Sequence, residues 1–187
     1  MTPSDNTTRK RSLAQGAVVL CLILLGGLLI ERLTRPPGGQ ATPPTPMPPL
    51  LVEGWINGGD GADPSRETLL GQHVVVDNWA TWCPPCRQAM PRLAELHGRW
   101  SDQGVTFLGL TSETSAQMDV ISNYAQSVPG FIWPIGYGAG LVWEQMGVEE
   151  IPTLILYDPE GRSVWRGHDL QDLDYELRMR IGSSGEG

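Results

Sequence analysis

Two hydrophobic periods alternate along most of the chain after residue 70. Short runs of apolar, often β-branched residues such as 73–79 are typical of strands that are buried on both faces. Between these runs, apolar residues recur at helical spacing, as Leu93, Leu96 and Trp100 do. The predicted strands are 73–79, 105–111, 153–157 and 163–166, and the predicted helices are 84–100, 115–127, 141–146 and 170–181. The order predicts an α/β fold with helices packed on a mixed sheet.

A longer apolar run extends from Leu13 to Ile30 and is interrupted only by Gln15. Its length is near the lower limit for a helix that spans a bilayer. The basic residues 9–11 precede it, which favours a cytoplasmic N-terminus. Because no small-residue cleavage site follows closely, an uncleaved anchor is favoured over a removed signal peptide. We therefore predict a cytoplasmic segment at 1–12, a single transmembrane anchor at 13–33, and the remainder on the extracytoplasmic (periplasmic) side.

Proline dominates the segment that follows, where seven of the fourteen residues from Pro36 to Pro49 are proline. Such a segment is not expected to pack as helix or sheet. It should run as a semi-rigid polyproline spacer of roughly 40 Å, at ~3.1 Å per residue. The sequence therefore predicts a Pro-rich linker at 34–49 and one globular domain at 50–187.

The charge distribution excludes one class of partner. The net charge is −8, from 13 basic and 21 acidic side chains. Residues 1–35 hold five of the basic and two of the acidic side chains, which leaves 8 against 19, or −11, for the remainder. A folded part this acidic lacks the basic face that nucleic-acid binding needs, so no nucleic-acid partner is expected.

Two of the three cysteines, Cys83 and Cys86, form the only pair in the predicted globular domain, because Cys21 lies in the apolar run. Cysteines two residues apart are too close to staple distant parts of a fold, which leaves a redox pair or half of a metal site. Structural zinc would need two further ligands, and no second cysteine pair exists. Covalent haem attachment would need histidine where Arg87 stands. We therefore favour a redox pair, with no metal and no cofactor.

The position of the pair supports redox chemistry, because it follows a predicted strand and opens a predicted helix. A thiol at a helix N-terminus meets unpaired N–H groups and the positive end of the helix dipole, both of which stabilise the thiolate. Pro84 and Pro85 occupy positions where the helix does not need their N–H groups. We predict that Cys83 is the nucleophile and that Cys86 is the resolving thiol.

The segment Trp79-Ala80-Thr81-Trp82-Cys83-Pro84-Pro85-Cys86 resembles the thioredoxin superfamily, specifically its membrane-anchored branch of TlpA- and ResA-like extracytoplasmic reductases. The resemblance extends from about residue 50 to residue 181. It implies a thioredoxin-like fold, dithiol–disulfide exchange and an insertion around 112–133. It also implies that Ile151-Pro152-Thr153 is a cis-proline loop that faces the cysteines and pairs with the substrate backbone. Without the resemblance, Pro152 would be interpreted as a trans proline at the start of a strand. The expected substrate-binding residues are Trp82, Pro84, Pro85, Ile151 and Pro152.

Asp77 interrupts a strand that should be buried, where an unpaired carboxylate is costly and tends to stay protonated. Its position, six residues before Cys83, matches the buried aspartate of thioredoxins. Many members of the anchored branch instead place a glutamate six residues after the first cysteine, where this chain has Ala89. We hypothesise that Asp77 is the general acid/base for Cys86. The alternative is an edge-of-strand aspartate that reaches water. Asn78 replaces the family's usual aromatic residue, and the sequence offers no physical reason for it.

The favoured function is reduction of disulfides in extracytoplasmic proteins, with electrons from a membrane thiol-transferring reductase. The resemblance suggests apocytochrome c maturation or a similar role. An oxidant or isomerase is the first alternative, because reduction potential sets the direction of exchange. A non-enzymatic thioredoxin-like binding module is the second. A peroxidase is disfavoured, because its reactive cysteine is expected near the second strand, which has none.

Overall fold

The computed structural model describes residues 23, 26, 27, 43–58 and 63–182. The chain divides into two units, residues 1–37 and 38–187. In the first unit the three described residues, Ile23, Gly26 and Gly27, are helical. The rest of the predicted anchor at 13–33, and the predicted cytoplasmic segment at 1–12, lie outside the described residues. No helix within the described ranges has the length and hydropathy needed to cross a membrane.

Six strands of the second unit form one mixed sheet within the described residues. Their order across the sheet is β1-β4-β3-β2-β5-β6. The middle strands β2, β3 and β4 run parallel, and the remaining neighbours are antiparallel. The bounds are β1 (Gly54–Ile56), β2 (His73–Asn78), β3 (Val105–Leu110), β4 (Ile135–Tyr137), β5 (Thr153–Tyr157) and β6 (Ser163–Gly167).

The helices follow the predicted positions, with one short helix added before β2. The long helix after β2 contains Pro91, and Cys83 is its N-cap residue. The helix after β3 lies in the region expected to be an insertion. The bounds are α1 (Arg66–Leu69), α2 (Pro84–Trp100), α3 (Met118–Ser127), α4 (Gly140–Met146) and α5 (Leu170–Ile181).

The central strands are buried on both faces, as their apolar runs predict. In β2, Val75 packs in one hydrophobic cluster, whereas Val74 and Val76 pack in the other. The same alternation divides Leu154 from Ile155 in β5. Successive strand residues point to opposite faces, so a strand covered on both sides needs apolar residues at nearly every position. An aspartate in such a strand is therefore exceptional.

Strand β4 lies inside 128–140, a region that the sequence had not predicted to be a strand. Its middle residue is Gly136, and a Cβ there would lie 3.0 Å from Leu110 and Val52 and 3.1 Å from Trp55. Close packing therefore requires glycine in this strand, although glycine within a short segment is typical of a loop. The strand forms because β3 and β1 pair with it on both sides.

The end of the Pro-rich linker is packed against the domain, contrary to the expectation that all of it is an unpacked spacer. Thr45 accepts a hydrogen bond from the Ser163 N–H at 2.8 Å, and the Met47 N–H donates to the Gly161 carbonyl at 2.8 Å. The Met47 side chain is only 1% exposed. Pro46 is tolerated because it lies at the edge of the sheet, where its missing N–H is not needed.

Candidate active site

The two cysteines lie at the carboxyl end of β2, where the chain turns into α2. They form a disulfide with an S–S distance of 2.06 Å, so the predicted pairing is present. The Cys86 N–H donates to Cys83 Sγ at 3.2 Å. This N–H belongs to the first helical turn, which leaves such groups without backbone partners, and it would stabilise a thiolate on Cys83. Each cysteine is 2% exposed, so position at the helix terminus, and not burial, distinguishes the two.

The Ile151–Pro152 peptide bond is cis, as the resemblance implied. The Ile151 carbonyl oxygen lies 3.7 Å from Cys83 Sγ, so this loop faces the disulfide. Next to the cysteines in the chain, Trp82 is 65% exposed, and Pro84 and Pro85 are also exposed. Three of the five expected substrate-binding residues thus adjoin the cysteines in the chain, and the other two form the loop that faces the disulfide.

Asn78 connects the end of β2 to the cis-proline loop. Its side chain is fully buried, and Nδ2 donates to the Thr153 carbonyl at 3.0 Å. Thr153 follows Pro152 directly and pairs with Asn78 across the sheet. The amide thus holds the loop at a fixed position beside the cysteines, a role that only the strand pairing discloses.

His168 also contacts this loop, and it was not singled out from the sequence. Its Nδ1 lies 2.6 Å from the Pro152 carbonyl oxygen, to which it donates, and Nε2 lies 3.1 Å from Glu150 Oε1. The sequence held only a weak signal for this role. His168 directly follows β6, and β6 pairs with β5, the strand that begins after Pro152. The structure therefore adds a second contact to the backbone of Pro152.

Asp77 is buried, with 3% of its surface exposed, so the alternative of an aspartate that reaches water is wrong. Its Oδ2 has no hydrogen-bond partner within the described residues. Burial raises the pKa of Asp77 to about 7, because removal from water disfavours the charged form. Asp77, Cys86, Pro152 and His168 line one small cavity. An acid that changes protonation near neutral pH thus shares a cavity with the predicted resolving cysteine.

Glu113 is a buried acid that the sequence analysis missed. It follows β3, and its carboxylate accepts the Thr81 N–H at 2.8 Å, the Thr81 hydroxyl, and the Thr111 hydroxyl at 3.0 Å. The side chain is only 9% exposed. A signal existed, because parallel strands end at the same edge of a sheet and polar residues follow both β2 and β3. Glu113 therefore contacts the turn that carries the cysteines.

Within the described part of the chain, no three His, Cys, Asp or Glu side chains are grouped closely enough to hold a metal ion. The groups described at the site are a disulfide, two buried carboxyl groups and a histidine. These groups can carry out thiol–disulfide exchange and transfer protons.

Comparison with known proteins agrees with this geometry. The model of the AhpC/TSA family matches residues 45–165. Thiol-disulfide oxidoreductase ResA from Halalkalibacterium halodurans is 30% identical over 109 residues, which cover 56% of this chain and 58% of the relative. The matched region thus spans less than two thirds of that relative.

Among solved structures, a thiol:disulfide interchange protein of the thioredoxin family from Chlorobium tepidum aligns with a TM-score of 0.60 at 28% identity. The alignment covers 76% of this chain and 100% of that one. A putative DsbE from Chlorobium tepidum aligns with a TM-score of 0.62 at 19% identity, covering 78% and 100%. The second match bears on fold alone. The predicted thioredoxin-like α/β fold is therefore confirmed.

Proposed function

Because the chain belongs to the AhpC/TSA family, we propose that it is a thioredoxin-like thiol–disulfide oxidoreductase that acts through Cys83 and Cys86. One observation carries the proposal. The Cys83–Cys86 disulfide lies at a helix N-terminus and faces the Ile151–Pro152 loop. The names of the relatives, a thiol-disulfide oxidoreductase and a thiol:disulfide interchange protein, support the same chemistry.

In the proposed reaction, the Cys83 thiolate attacks a disulfide of the client protein, forms a mixed disulfide and expels one client thiolate. Cys86, once deprotonated, attacks Cys83 Sγ, which forms the Cys83–Cys86 disulfide and releases the second client thiolate. Two electrons pass to the client, and its two released thiolates take up two protons from solvent. Asp77 would accept the Cys86 proton, since the two groups line one cavity and the pKa of Asp77 is about 7.

The proposed direction is reductive, with extracytoplasmic protein disulfides, such as that of apocytochrome c, as clients. A membrane thiol-transferring reductase would then return the Cys83–Cys86 disulfide to the dithiol. The supporting observations are the Trp-Cys-Pro-Pro-Cys segment and the match to ResA. Oxidation or isomerisation of clients is the alternative, and it uses the same residues with a higher reduction potential.

The proposed location is the extracytoplasmic face of a membrane, with residues 13–33 as the anchor. The packing of Thr45 and Met47 attaches this end of the linker to the domain. These residues contact the turn between β5 and β6, and β5 begins beside Asn78 at the disulfide edge and ends at that turn. The five residues of β5, at ~3.3 Å each, separate the two ends of the sheet by about 15 Å. The linker therefore joins the domain at the end of the sheet opposite the cysteines. This arrangement would leave the disulfide free to meet clients.

The deciding measurement is the reduction potential of the Cys83–Cys86 pair in defined thiol buffers, followed by the fluorescence of Trp82. A potential near or below ~−270 mV would support a reductant, and a value near ~−120 mV would identify an oxidant. Absence of any reversible transition would overturn the enzyme and leave the thioredoxin-like binding module.

A further inference from the structure

Glu113 is 30 positions away from Cys83 in the chain, yet its carboxylate makes two hydrogen bonds to the active-site turn. Two of the three donors on its carboxylate belong to Thr81, namely the backbone N–H at 2.8 Å and the hydroxyl. Thr81 lies two residues before Cys83, in the turn between β2 and α2. A carboxylate that accepts a backbone N–H and a hydroxyl from one residue restrains both its backbone and its side chain.

The Glu113 carboxylate is itself held in place from several directions. The Thr111 hydroxyl donates to it at 3.0 Å and also accepts the Glu113 N–H at 3.2 Å. The Glu113 carbonyl accepts the Gly138 N–H at 2.7 Å, which connects this loop to the residue after β4. These hydrogen bonds restrain the loop after β3, and the contacts of Glu113 with Thr81 hold the active-site turn against that loop.

We propose that Glu113 is a positioning residue that holds the Thr81–Cys83 turn in the geometry of the disulfide and thereby sets the redox equilibrium of the Cys83–Cys86 pair. The inference rests on the proposed oxidoreductase function and adds a determinant of its reduction potential. Glu113 touches neither sulfur, so it acts through Thr81.

The direction of the effect follows from the contacts. The hydrogen bonds are present in the disulfide form, and the proposal requires that they hold the turn less well in the dithiol, so weakening them destabilises the disulfide form relative to the dithiol. Removing the negative charge of Glu113 also favours a thiolate on Cys83, which stabilises the dithiol further. Both effects make the pair a stronger oxidant.

The test uses the full chain, equilibrated with reduced and oxidised glutathione. Oxidation of the dithiol by one oxidised glutathione gives the disulfide and two reduced glutathiones, so two electrons and two protons are exchanged. The disulfide fraction is measured by alkylation and peptide mass spectrometry at Cys83. In Glu113→Gln we expect the equilibrium constant for disulfide formation to fall by about tenfold or more, the factor that corresponds to loss of one hydrogen bond to a charged group.

Two comparisons separate positioning from general destabilisation. Ser163→Ala removes a hydroxyl, 5% exposed, that bonds Thr45 at the opposite end of the sheet, and it should leave the redox equilibrium unchanged. Thr81→Val removes only the hydroxyl that contacts Glu113 and should shift the equilibrium in the same direction by a smaller factor. Thr81→Ser keeps the hydroxyl and should restore the wild-type value.

The outcomes are distinguishable. If wild-type protein shows no reversible equilibrium, the proposed function fails. If wild-type protein equilibrates and Glu113→Gln gives the same constant, or the same shift as Ser163→Ala, the positioning role is overturned. If Glu113→Gln does not fold, the Thr81 pair decides, because equal constants for Thr81→Val and Thr81→Ser would contradict the inference.

Discussion

Replacing Asp77 by asparagine should change how the stability of the protein depends on pH. Asparagine has nearly the shape of a protonated aspartic acid but cannot ionise. The pKa of Asp77 is about 7 in the folded protein, against an ordinary value of 3.8. This difference corresponds to about 4 kcal/mol at 1.36 kcal/mol for each pKa unit, which is the cost of ionising the buried carboxyl group in the folded state.

The sign follows from which state binds the proton. Between about pH 4 and about pH 7 the folded state retains the Asp77 proton and the unfolded state does not, so the free energy of unfolding falls as the pH rises. Above the folded-state pKa both states are ionised and the loss is complete. The free energy of unfolding of the wild type, relative to Asp77→Asn, should therefore fall by about 1.36 kcal/mol per pH unit across this range and then level off.

The assay is denaturant unfolding of the oxidised wild type and Asp77→Asn from about pH 4 to about pH 9. Asp174→Asn is the control, because the pKa of Asp174 is lowered in the folded protein whereas the pKa of Asp77 is raised. Although burial acts to raise the pKa of Asp174, hydrogen bonds from Arg178 and Trp100 lower it overall, so its contribution is lost as the pH falls and not as it rises. A difference between wild type and Asp77→Asn that does not vary with pH would refute the raised pKa. Unchanged thiol-exchange rates and pH profile in Asp77→Asn would separately refute its role as general acid/base.

Three further predictions concern other parts of the molecule. Cys86→Ser should accumulate mixed disulfides through Cys83, detected on non-reducing gels, whereas a binding module would accumulate none. Asn78→Ala should lower the free energy of unfolding by about 1–3 kcal/mol, since it leaves the buried Thr153 carbonyl without its amide partner. Met47→Ala should cost about 2–5 kcal/mol in chemical denaturation, as expected for truncating a buried methionine, and no change would mean that the linker does not pack.

The main elements and the redox pair were predictable from local signals. The strand 73–78 has a nearly continuous apolar run, and α2 has apolar residues at helical spacing. The cysteines lie at the start of α2, and the position of that start can be predicted from the neighbouring residues alone. By contrast, β4 has three residues centred on Gly136, and its strand conformation depends on neighbours that are distant in sequence. The packing of Met47 was missed for the same kind of reason, because a Pro-rich segment carries no pattern that identifies a binding edge.

The amino-acid sequence by itself determined which residues could do chemistry, since thiol reactivity and the burial of Asp77 depend on residue type and on position in a helix or strand. Only the tertiary structure decided what surrounds them. Glu113 and His168 come from separate elements and meet the active site because β3 and β6 present residues at the same edge of the sheet as β2. Hydrogen bonds between residues far apart in the chain depend on strand register, which is a property of the assembled sheet and of no single segment.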